Sequence, residues 1–287
     1  MAFNSGVRAI MSIITPATSL HRSDFSSRLR ADALTLGYDG KIISQNLSVS
    51  IPDGEFTVIV GPNACGKSTL LRALSRLLKP QAGQVILDGK NIASIDTRQV
   101  ARHLGLLPQS SQAPDGISVL DLVARGRYPH QKLLQQWTPA DKLAVSNAMQ
   151  ATGVSELADR SVDALSGGQR QRVWIAMVLA QQTPLLLLDE PTTYLDIAHQ
   201  IDLLELFSNL NQQHNHTLVA VLHDLNHACR YATHIIAMRD GQIVTQGHPR
   251  EVITADLVEQ VFGMPCLIID DPVSHTPLVI PKGRFKI

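Results

Sequence analysis

Two glycine-containing stretches carry residue types that bind phosphate. The first, GPNACGKST at 61–69, follows the apolar run FTVIV and precedes the apolar stretch LLRALSRLL. The spacing of Gly61, Gly66, Lys67 and Ser68 matches a Walker A loop, in which backbone N–H groups wrap a phosphate after a strand and before a helix. Lys67 would reach the β- and γ-phosphates of a nucleotide, and the Ser68 hydroxyl would bind Mg²⁺.

Two acidic residues follow an apolar run in LLLLDEP at 185–191. Four consecutive leucines predict a strand that is buried on both faces of a sheet. Asp189, at the carboxyl end of that strand, would hold Mg²⁺ through water. Glu190 would point toward the γ-phosphate as a general base. An Asp-Glu pair alone is typical of a solvated loop, so this interpretation depends on the leucines and on the glycine loop.

The second glycine stretch, LSGGQ at 165–169, precedes a helical pattern. Gly167 and Gly168 are poor helix formers and predict an opened helix N-terminus. Free N–H groups and the positive end of the helix dipole suit a phosphate at such a terminus. A single domain would therefore contain two phosphate sites.

The amino-acid composition limits the classes of protein to which this chain can belong. The chain has 287 residues with 25 basic and 25 acidic side chains, so its net charge gives no reason to expect a nucleic-acid partner. Three cysteines, Cys65, Cys229 and Cys266, are an odd number and suit a reducing compartment. No run reaches the roughly 18 apolar residues that a membrane span needs.

The order of patterns along the chain predicts an α/β fold. Residues 1–30 are expected to be a disordered tail, or to reflect a start assigned too early with Met11 as the true start. The runs QVILDG, HLGLLPQ and TLVAVLHD predict further strands, and the segment from 240 predicts a hairpin followed by a helix. Residues 115–175 alternate helical patterns, which predicts a helical lobe inserted into the sheet lobe.

The LSGGQ stretch resembles the signature of the ATP-binding cassette (ABC) ATPases, and the likeness extends from about residue 32 to the C-terminus. The resemblance implies a single ABC-type nucleotide-binding domain over 31–287. Its RecA-like lobe, with a mainly parallel sheet and an antiparallel β part, would cover 31–114 and 176–287, and the inserted helical lobe 115–175. It also implies a head-to-tail pair of copies, in which the signature of one copy contacts the ATP of the other.

Individual roles also follow from this resemblance. Tyr38 would stack on adenine, Gln109 would touch Mg²⁺ and link the lobes, and Asp196 would lie at the seam between the copies. Catalysis would use Glu190, the switch residue His223 and Lys67. The expected ligands are ATP and Mg²⁺, with Ser68, Gln109 and Asp189 on the metal. The expected ATP-binding residues are Tyr38, Gly61, Pro62, Asn63, Ala64, Cys65, Gly66, Lys67, Ser68, Thr69, Gln109, Ser166, Gly167, Gly168, Gln169 and Asp196.

The stretches SVLDLVARGRYPHQ (118–131) and PTTYLDIAHQIDLLELF (191–207) are similar to the ATPases of iron–siderophore, haem and cobalamin importers. The resemblance implies an ATP hydrolase at the cytoplasmic face of the bacterial inner membrane, bound peripherally to two permease subunits. A periplasmic binding protein would act indirectly. The expected cargo is a ferric siderophore, ferric enterobactin or a related catecholate.

Other functions remain open at this point. The cargo could be another siderophore, haem or cobalamin, because no residue of this chain would touch it. A soluble ABC protein of translation or repair usually has two cassettes or a long coiled-coil insertion, which are absent from this sequence. A nucleotide-sensing regulator would be favoured by an altered Glu190 or His223, and both residues are intact.

Two residues of the glycine loop raise separate questions. Ala64 occupies a position where many relatives have glycine, and a φ above zero there would cost an alanine about 1 kcal/mol. Cys65 lies just before a helix N-terminus and beside Lys67, which predicts a lowered thiol pKa and a reactive cysteine. The alternative is that Cys65 fills a small space. Cys229 and Cys266 are predicted to be buried and inert.

Overall fold

The computed structural model describes residues 27–109, 112–131 and 137–283. These residues form two compact units. The glycine-loop unit comprises 27–95 and 217–283, and the helix-rich unit comprises 96–216. Residues 1–26 of the predicted tail lie outside the described residues, and the first strand begins at Leu29. The predicted lobe boundaries stay a prediction. Within the described residues, none of the helices combines the length and the apolar character of a membrane span.

The glycine-loop unit contains two sheets and a C-terminal hairpin. An antiparallel sheet has the order β2-β1-β4-β5, and a second set of strands has the order β10-β9-β3-β8, with β3 parallel to both β8 and β9. The strands are β1 (Leu29–Tyr38), β2 (Lys41–Ile51), β3 (Phe56–Val60), β4 (Ala82–Leu87), β5 (Lys90–Asn91), β8 (Thr217–Val221), β9 (His234–Arg239), β10 (Gln242–Gly247), β11 (Cys266–Asp270) and β12 (Pro277–Pro281). The helices are α1 (Lys67–Leu74), α7 (Leu225–Tyr231), α8 (Pro249–Val252) and α9 (Ala255–Phe262).

The described residues of the helix-rich unit form five α-helices and two parallel strands. Its elements are α2 (Thr97–His103), β6 (Leu104–Leu107), α3 (Val119–Ala124), α4 (Pro139–Ala151), α5 (Gly167–Ala180), β7 (Leu185–Asp189) and α6 (Ile197–His214). Strand β6 pairs with β7 in parallel, from Leu104 opposite Leu185 to Leu107 opposite Leu188. The apolar faces of α3, α4 and α5 form one core, which includes Val123, Val145 and Val173. The helical character predicted for 115–175 therefore holds for its described residues.

Three apolar runs of the sequence form the fully buried strands β3, β7 and β8. Every residue of β3, β7 and β8 is buried, as expected of parallel strands covered on both faces. The hairpin predicted from residue 240 begins earlier than predicted, because its first strand is β9 (His234–Arg239) and only β10 lies after residue 240. The short helix α8 follows it. The α/β fold class predicted from the sequence is confirmed.

The turn between β9 and β10 packs tightly against β2. A Cβ added at Gly241 would collide with the carbonyl oxygen of Ile43, and the backbone of Gly241 has a φ of +77°. The Gly241 N–H also donates to the carbonyl of Cys65, 3.0 Å away, inside the glycine loop. This turn therefore supports the glycine loop from one side and touches β2 on the other.

We predict that Gly241→Ala lowers the free energy of unfolding by about 3 kcal/mol, because it adds a steric collision to the cost of a left-handed backbone. Gly40→Ala is the matched control. Gly40 has a φ of +82° and open space around it, so the control should lose about 1 kcal/mol. Urea denaturation of both variants measures the difference. Equal losses would show that the turn has room to relax.

Candidate functional site

The glycine loop joins β3 to α1, as the motif requires. Gly61 has a φ of +153°, and a Cβ there would collide with the carbonyl oxygen of Met238 and lie 2.8 Å from Cys65 Sγ. Gly66 has a φ of +105° and stands at the N-cap of α1. Both positions therefore require glycine, and the resulting loop can present N–H groups at the N-terminus of α1.

Lys67 is held by the loop itself. Its side chain is buried, and Nζ donates to the carbonyl oxygens of Gly61 and Pro62 at 2.9 and 2.8 Å. Phosphate oxygens are stronger acceptors because they carry charge. The ammonium is therefore held at the loop and can exchange neutral carbonyls for phosphate. Ser68 is half-buried and Thr69 is buried in the first turn of α1, whereas Asn63 is exposed.

Ala64 adopts a backbone conformation with φ above zero, which is unfavourable for an alanine. Its φ is +61°, in the left-handed region. An alanine there costs about 1 kcal/mol or more relative to an ordinary backbone. The side chain is exposed, so the methyl group itself meets no crowding that the structure records. The loop thus carries a modest strain at this residue.

The prediction of a lowered Cys65 pKa is wrong. Cys65 is 4% exposed, and burial raises the pKa of its thiol above the ordinary value. The Lys67 charge favours the thiolate, but this effect is smaller than that of burial. Cys65 Sγ lies close to Gly61, which agrees with the alternative that the side chain fills a small space. Cys229 and Cys266 are buried as predicted, and burial raises the pKa of Cys229 to about 12.

We therefore predict slow alkylation of Cys65 by iodoacetamide at pH 7.5, because the neutral thiol dominates and is covered. The labelling rate should keep rising above the pH at which an exposed cysteine reaches its plateau. Peptide mapping between pH 7 and pH 9.5 gives the rate at each cysteine, with a short cysteine peptide as the reference. A plateau for Cys65 below pH 8 would restore the reactive-thiol interpretation.

Two further predicted residues lie in the glycine-loop unit. Tyr38 ends β1, and its side chain is 38% exposed, so its ring is open to a stacking ligand. His223 is exposed and stands two residues after β8. Each therefore lies at a strand end, where side chains can reach a ligand.

The acidic pair stands at the end of β7 in the helix-rich unit. Asp189 is its last residue and is 1% exposed. Glu190 follows with a φ of +53° and is half-buried. Gln109 Nε2 donates to Glu190 Oε2 at 3.0 Å, and the Thr193 hydroxyl lies 3.4 Å from the same oxygen. The contacts of Glu190 with Gln109 and Thr193 were not predicted from the sequence.

The second glycine pair opens a helix, as predicted. Ser166 is the N-cap of α5, and its hydroxyl accepts from the backbone N–H of Gln169 at 3.3 Å. The backbone N–H of Ser166 in turn donates to Gln169 Oε1 at 3.1 Å, which completes a capping box. Gly167 and Gly168 begin the helix, and a Cβ at Gly167 would lie 3.5 Å from Tyr194 Cβ. The N–H groups of the two glycines stand at the positive end of the helix dipole.

Asp196 is the N-cap of α6. It accepts hydrogen bonds from the backbone N–H of His199 at 2.9 Å and from the ring Nδ1 of His199 at 2.7 Å. These bonds hold the pKa of Asp196 below its ordinary value. Asp196 is exposed, so its charge is available to a partner surface.

The residues present fit a nucleotide and Mg²⁺. The glycine loop brings main chain to the N-terminus of α1, on a path that Gly61 and Gly66 allow with φ values of +153° and +105°. Ser68, Gln109 and Asp189 offer a hydroxyl, an amide and a carboxylate, which are oxygen donors of the kind that Mg²⁺ prefers. Ser68 belongs to the glycine-loop unit, whereas Gln109 and Asp189 belong to the helix-rich unit.

Comparison with known proteins assigns the class. The model of the ABC transporter family matches residues 44–193, more than half of the chain. The chain belongs to this family, and its fold is that of the ABC nucleotide-binding domain. The prediction of an ABC-type ATPase is thereby confirmed.

Two relatives and one solved structure show how far the likeness extends. The chain is 62% identical over 258 residues to the ferric enterobactin transport ATP-binding protein FepC of Escherichia coli strain K12, covering 90% of this chain and 95% of FepC. It is 55% identical over 258 residues to the petrobactin import ATP-binding protein FpuD of Bacillus anthracis, covering 90% and 94%. A dimeric ATP-binding cassette in a post-hydrolysis state with ADP and Pi superposes with a TM-score of 0.68 at 28% identity, covering 77% of this chain and 98% of that cassette.

Proposed function

We propose that this chain is the ATP-hydrolysing subunit of a bacterial importer of ferric siderophores, with ferric enterobactin or a related catecholate as its cargo. The observation that carries the proposal is the likeness to FepC over nearly the full length of both chains. A glycine loop with a buried lysine and a capped helix that begins at Gly167 support the proposal, in which they would form the two halves of a nucleotide site.

The glycine loop binds the phosphates of ATP. Backbone N–H groups from Gly61 to Thr69 would surround the β-phosphate, and Lys67 would transfer its hydrogen bonds from loop carbonyls to phosphate oxygens. Tyr38 would stack on adenine. Ser68, Gln109 and Asp189 would hold Mg²⁺, which neutralises phosphate charge when it is bound.

Glu190 is the proposed general base. Its carboxylate would accept a proton from the attacking water, and the Gln109 amide fixes its orientation through the bond at 3.0 Å. His223 would contact the γ-phosphate. Gln109 would also bind Mg²⁺, so its hydrogen bond to Glu190 would link the metal to the general base.

A second copy completes each site. Ser166, Gly167, Gly168 and Gln169 would bind the γ-phosphate of the ATP held by the partner, and Asp196 would lie at the seam. The dimeric relative supports this arrangement. Two permease subunits would bind the pair at the cytoplasmic face of the inner membrane, and a periplasmic binding protein would deliver the cargo to them.

Uptake of labelled ferric enterobactin tests the function. Cells that lack the chain should lose uptake, and the wild-type chain should restore it. Glu190→Gln should not restore it, because the amide keeps the shape and loses the basicity, which costs about 10²–10⁴-fold in hydrolysis. Uptake of haem and cobalamin in the same cells is the control for cargo. Unchanged uptake of ferric enterobactin without the chain would refute this cargo.

Mixing two inactive variants tests the shared site. Lys67→Ala disables the glycine loop, and Gly168→Asp places a charge at the signature. A Cβ at Gly168 would make ordinary contacts at 3.4 Å, so the fold should tolerate the change. One site of a mixed dimer has both defects and the other has neither, so an equal mixture should recover roughly a quarter of wild-type turnover. ATP hydrolysis confined to one chain predicts no recovery on mixing.

A further inference from the structure

The C-terminal hairpin of β11 and β12 forms a two-stranded sheet of its own. Its strands pair in antiparallel register from Cys266 opposite Pro281 to Asp270 opposite Pro277. Among the residues that the structure describes, no third strand joins them. A two-stranded hairpin alone is marginally stable in water at best. Contacts with the rest of the glycine-loop unit must therefore hold this hairpin in place.

One side chain binds the open edge of the hairpin. Asn226 Nδ2 donates to the carbonyl oxygen of Val279 at 3.2 Å, and Asn226 Oδ1 accepts from the Val279 N–H at 2.7 Å. Because both backbone groups of Val279 bind Asn226, they face away from the partner strand β11. The side-chain amide thus pairs with β12 as a neighbouring strand would. We call these two hydrogen bonds the Asn226 clamp.

The clamp joins the buried face of the hairpin to helix α7. Val279 and Cys266 lie on the same face of the hairpin and are 4% and 3% exposed. The start of α7 is capped by Asp224, which accepts from the His227 N–H at 2.9 Å, so Asn226 is not needed as a cap. Asparagine is a poor helix former. Its contact with Val279 therefore explains its place in α7 better than helix stability does.

His223 lies in a short connection that the clamp fixes at one end. Strand β8 ends at Val221, which pairs with Ile59 of β3, and α7 begins at Leu225. Only residues 222–224 lie between the strand and the helix. Helix α7 has seven residues, so it is too short to be stable without tertiary contacts. The position of His223 therefore depends on the contacts that hold α7, and the clamp supplies two of them.

We propose that Asn226 is a positioning residue for His223, because the clamp fixes α7 to the C-terminal hairpin and so sets the place from which His223 contacts the γ-phosphate. This role depends on the proposed function, in which His223 makes that contact. Asn226 itself touches no reacting atom. The hairpin lies beyond residues 44–193, which the family model matches. It would thus serve hydrolysis from outside the matched region.

Asn226→Ala tests the clamp in the full-length chain. Alanine removes both hydrogen bonds and is the best helix former, so α7 keeps its helix propensity. We expect the kcat of ATP hydrolysis to fall about 10-fold, because misplacing a group that contacts the reacting phosphate is costly. The KM for ATP should stay within about 2-fold, since the glycine loop and Tyr38 are unchanged. Iodoacetamide should label Cys266 faster, because the face of the hairpin that carries this residue is no longer held.

Asn209→Ala is the matched control. Asn209 lies in helix α6 of the other unit, and its Oδ1 accepts only from Gln213 Nε2 at 3.4 Å among the bonds that the structure describes for it. This change is the same substitution within a helix, but it frees no main-chain group of a strand. The kcat, the KM and the labelling of Cys266 should all match those of the wild-type chain.

Asn226→Asp is a milder second variant. The carboxylate can still accept from the Val279 N–H but cannot donate to the Val279 carbonyl. A negative charge near the start of α7 suits the helix dipole, so the helix itself should not be weakened. We expect the kcat to fall about 3-fold, which corresponds to the loss of one hydrogen bond.

His223→Ala separates positioning from general destabilisation. A clamp that acts through His223 has little left to position once this side chain is removed. Adding Asn226→Ala to His223→Ala should therefore lower the residual hydrolysis, measured in a single turnover, by less than about 2-fold. A further fall of about 10-fold, equal to the effect in the wild-type chain, would show that Asn226 acts on something other than His223 and would refute the inference.

The remaining outcomes are also decisive. If the kcat of Asn226→Ala equals that of Asn209→Ala, the positioning role is refuted, and faster labelling of Cys266 would then mean that the clamp holds the hairpin alone. If Asn226→Ala does not fold, Asn226→Asp decides by the same comparison. Loss of turnover in His223→Ala without loss in the Asn226 variants refutes the inference and leaves the proposed function standing. Wild-type turnover in His223→Ala refutes the proposed contact with the γ-phosphate and the inference with it.

Discussion

The phosphate loop depends on main chain packed directly against main chain. The carbonyl of Met238 lies where a side chain on Gly61 would be, and the Gly241 N–H binds the carbonyl of Cys65. These contacts set the path of the loop before any ligand arrives. Lys67 then has two loop carbonyls as partners, so its charge stays at the loop rather than in solvent. The affinity of such a loop for phosphate follows from backbone geometry.

Of the twelve non-glycine residues with a positive φ in the described part of the chain, three lie in or next to segments with proposed functional roles. Ala64, Glu190 and Tyr194 have φ values of +61°, +53° and +69° although they are not glycines. Residues held in this region cost on the order of 1–3 kcal/mol each and persist when surrounding contacts compensate. For Glu190 the compensation is visible, because the strained backbone brings the carboxylate to the Gln109 amide. The strain therefore serves to aim a side chain.

The sequence allowed good prediction wherever a local pattern determined the structure. The buried strands Phe56–Val60 and Leu185–Asp189 and the two glycine-opened helices follow from apolar runs and from the poor helix propensity of glycine. The strands β1 and β2 and the pair β11–β12 were not predicted, although each pair is a local hairpin. Register shifts interrupt the pairing of β1 with β2, and β11 and β12 are only five residues long.

The same distinction applies to the site. Motif spacing singled out Lys67, Asp189 and Glu190, whose roles stay predictions, and the error on Cys65 shows the limits of such spacing. Neighbours in sequence suggested a thiolate, whereas burial in three dimensions raised the pKa of the thiol. The contact of Gln109 with Glu190 joins residues 81 positions apart, so no local pattern could reveal it.

The exposed tip of the glycine loop has a consequence for inherited variation. Asn63 and Ala64 are exposed, and in the proposed site the groups beside them that would bind phosphate belong to the main chain. At Ala64, whose φ is +61°, the backbone angle rather than side-chain chemistry therefore limits which residues are accepted. This angle favours glycine and asparagine over branched residues. Position 64 can therefore vary within the glycine loop. Gly61 and Lys67 in the same loop are constrained by their contacts with Met238 and with the loop carbonyls.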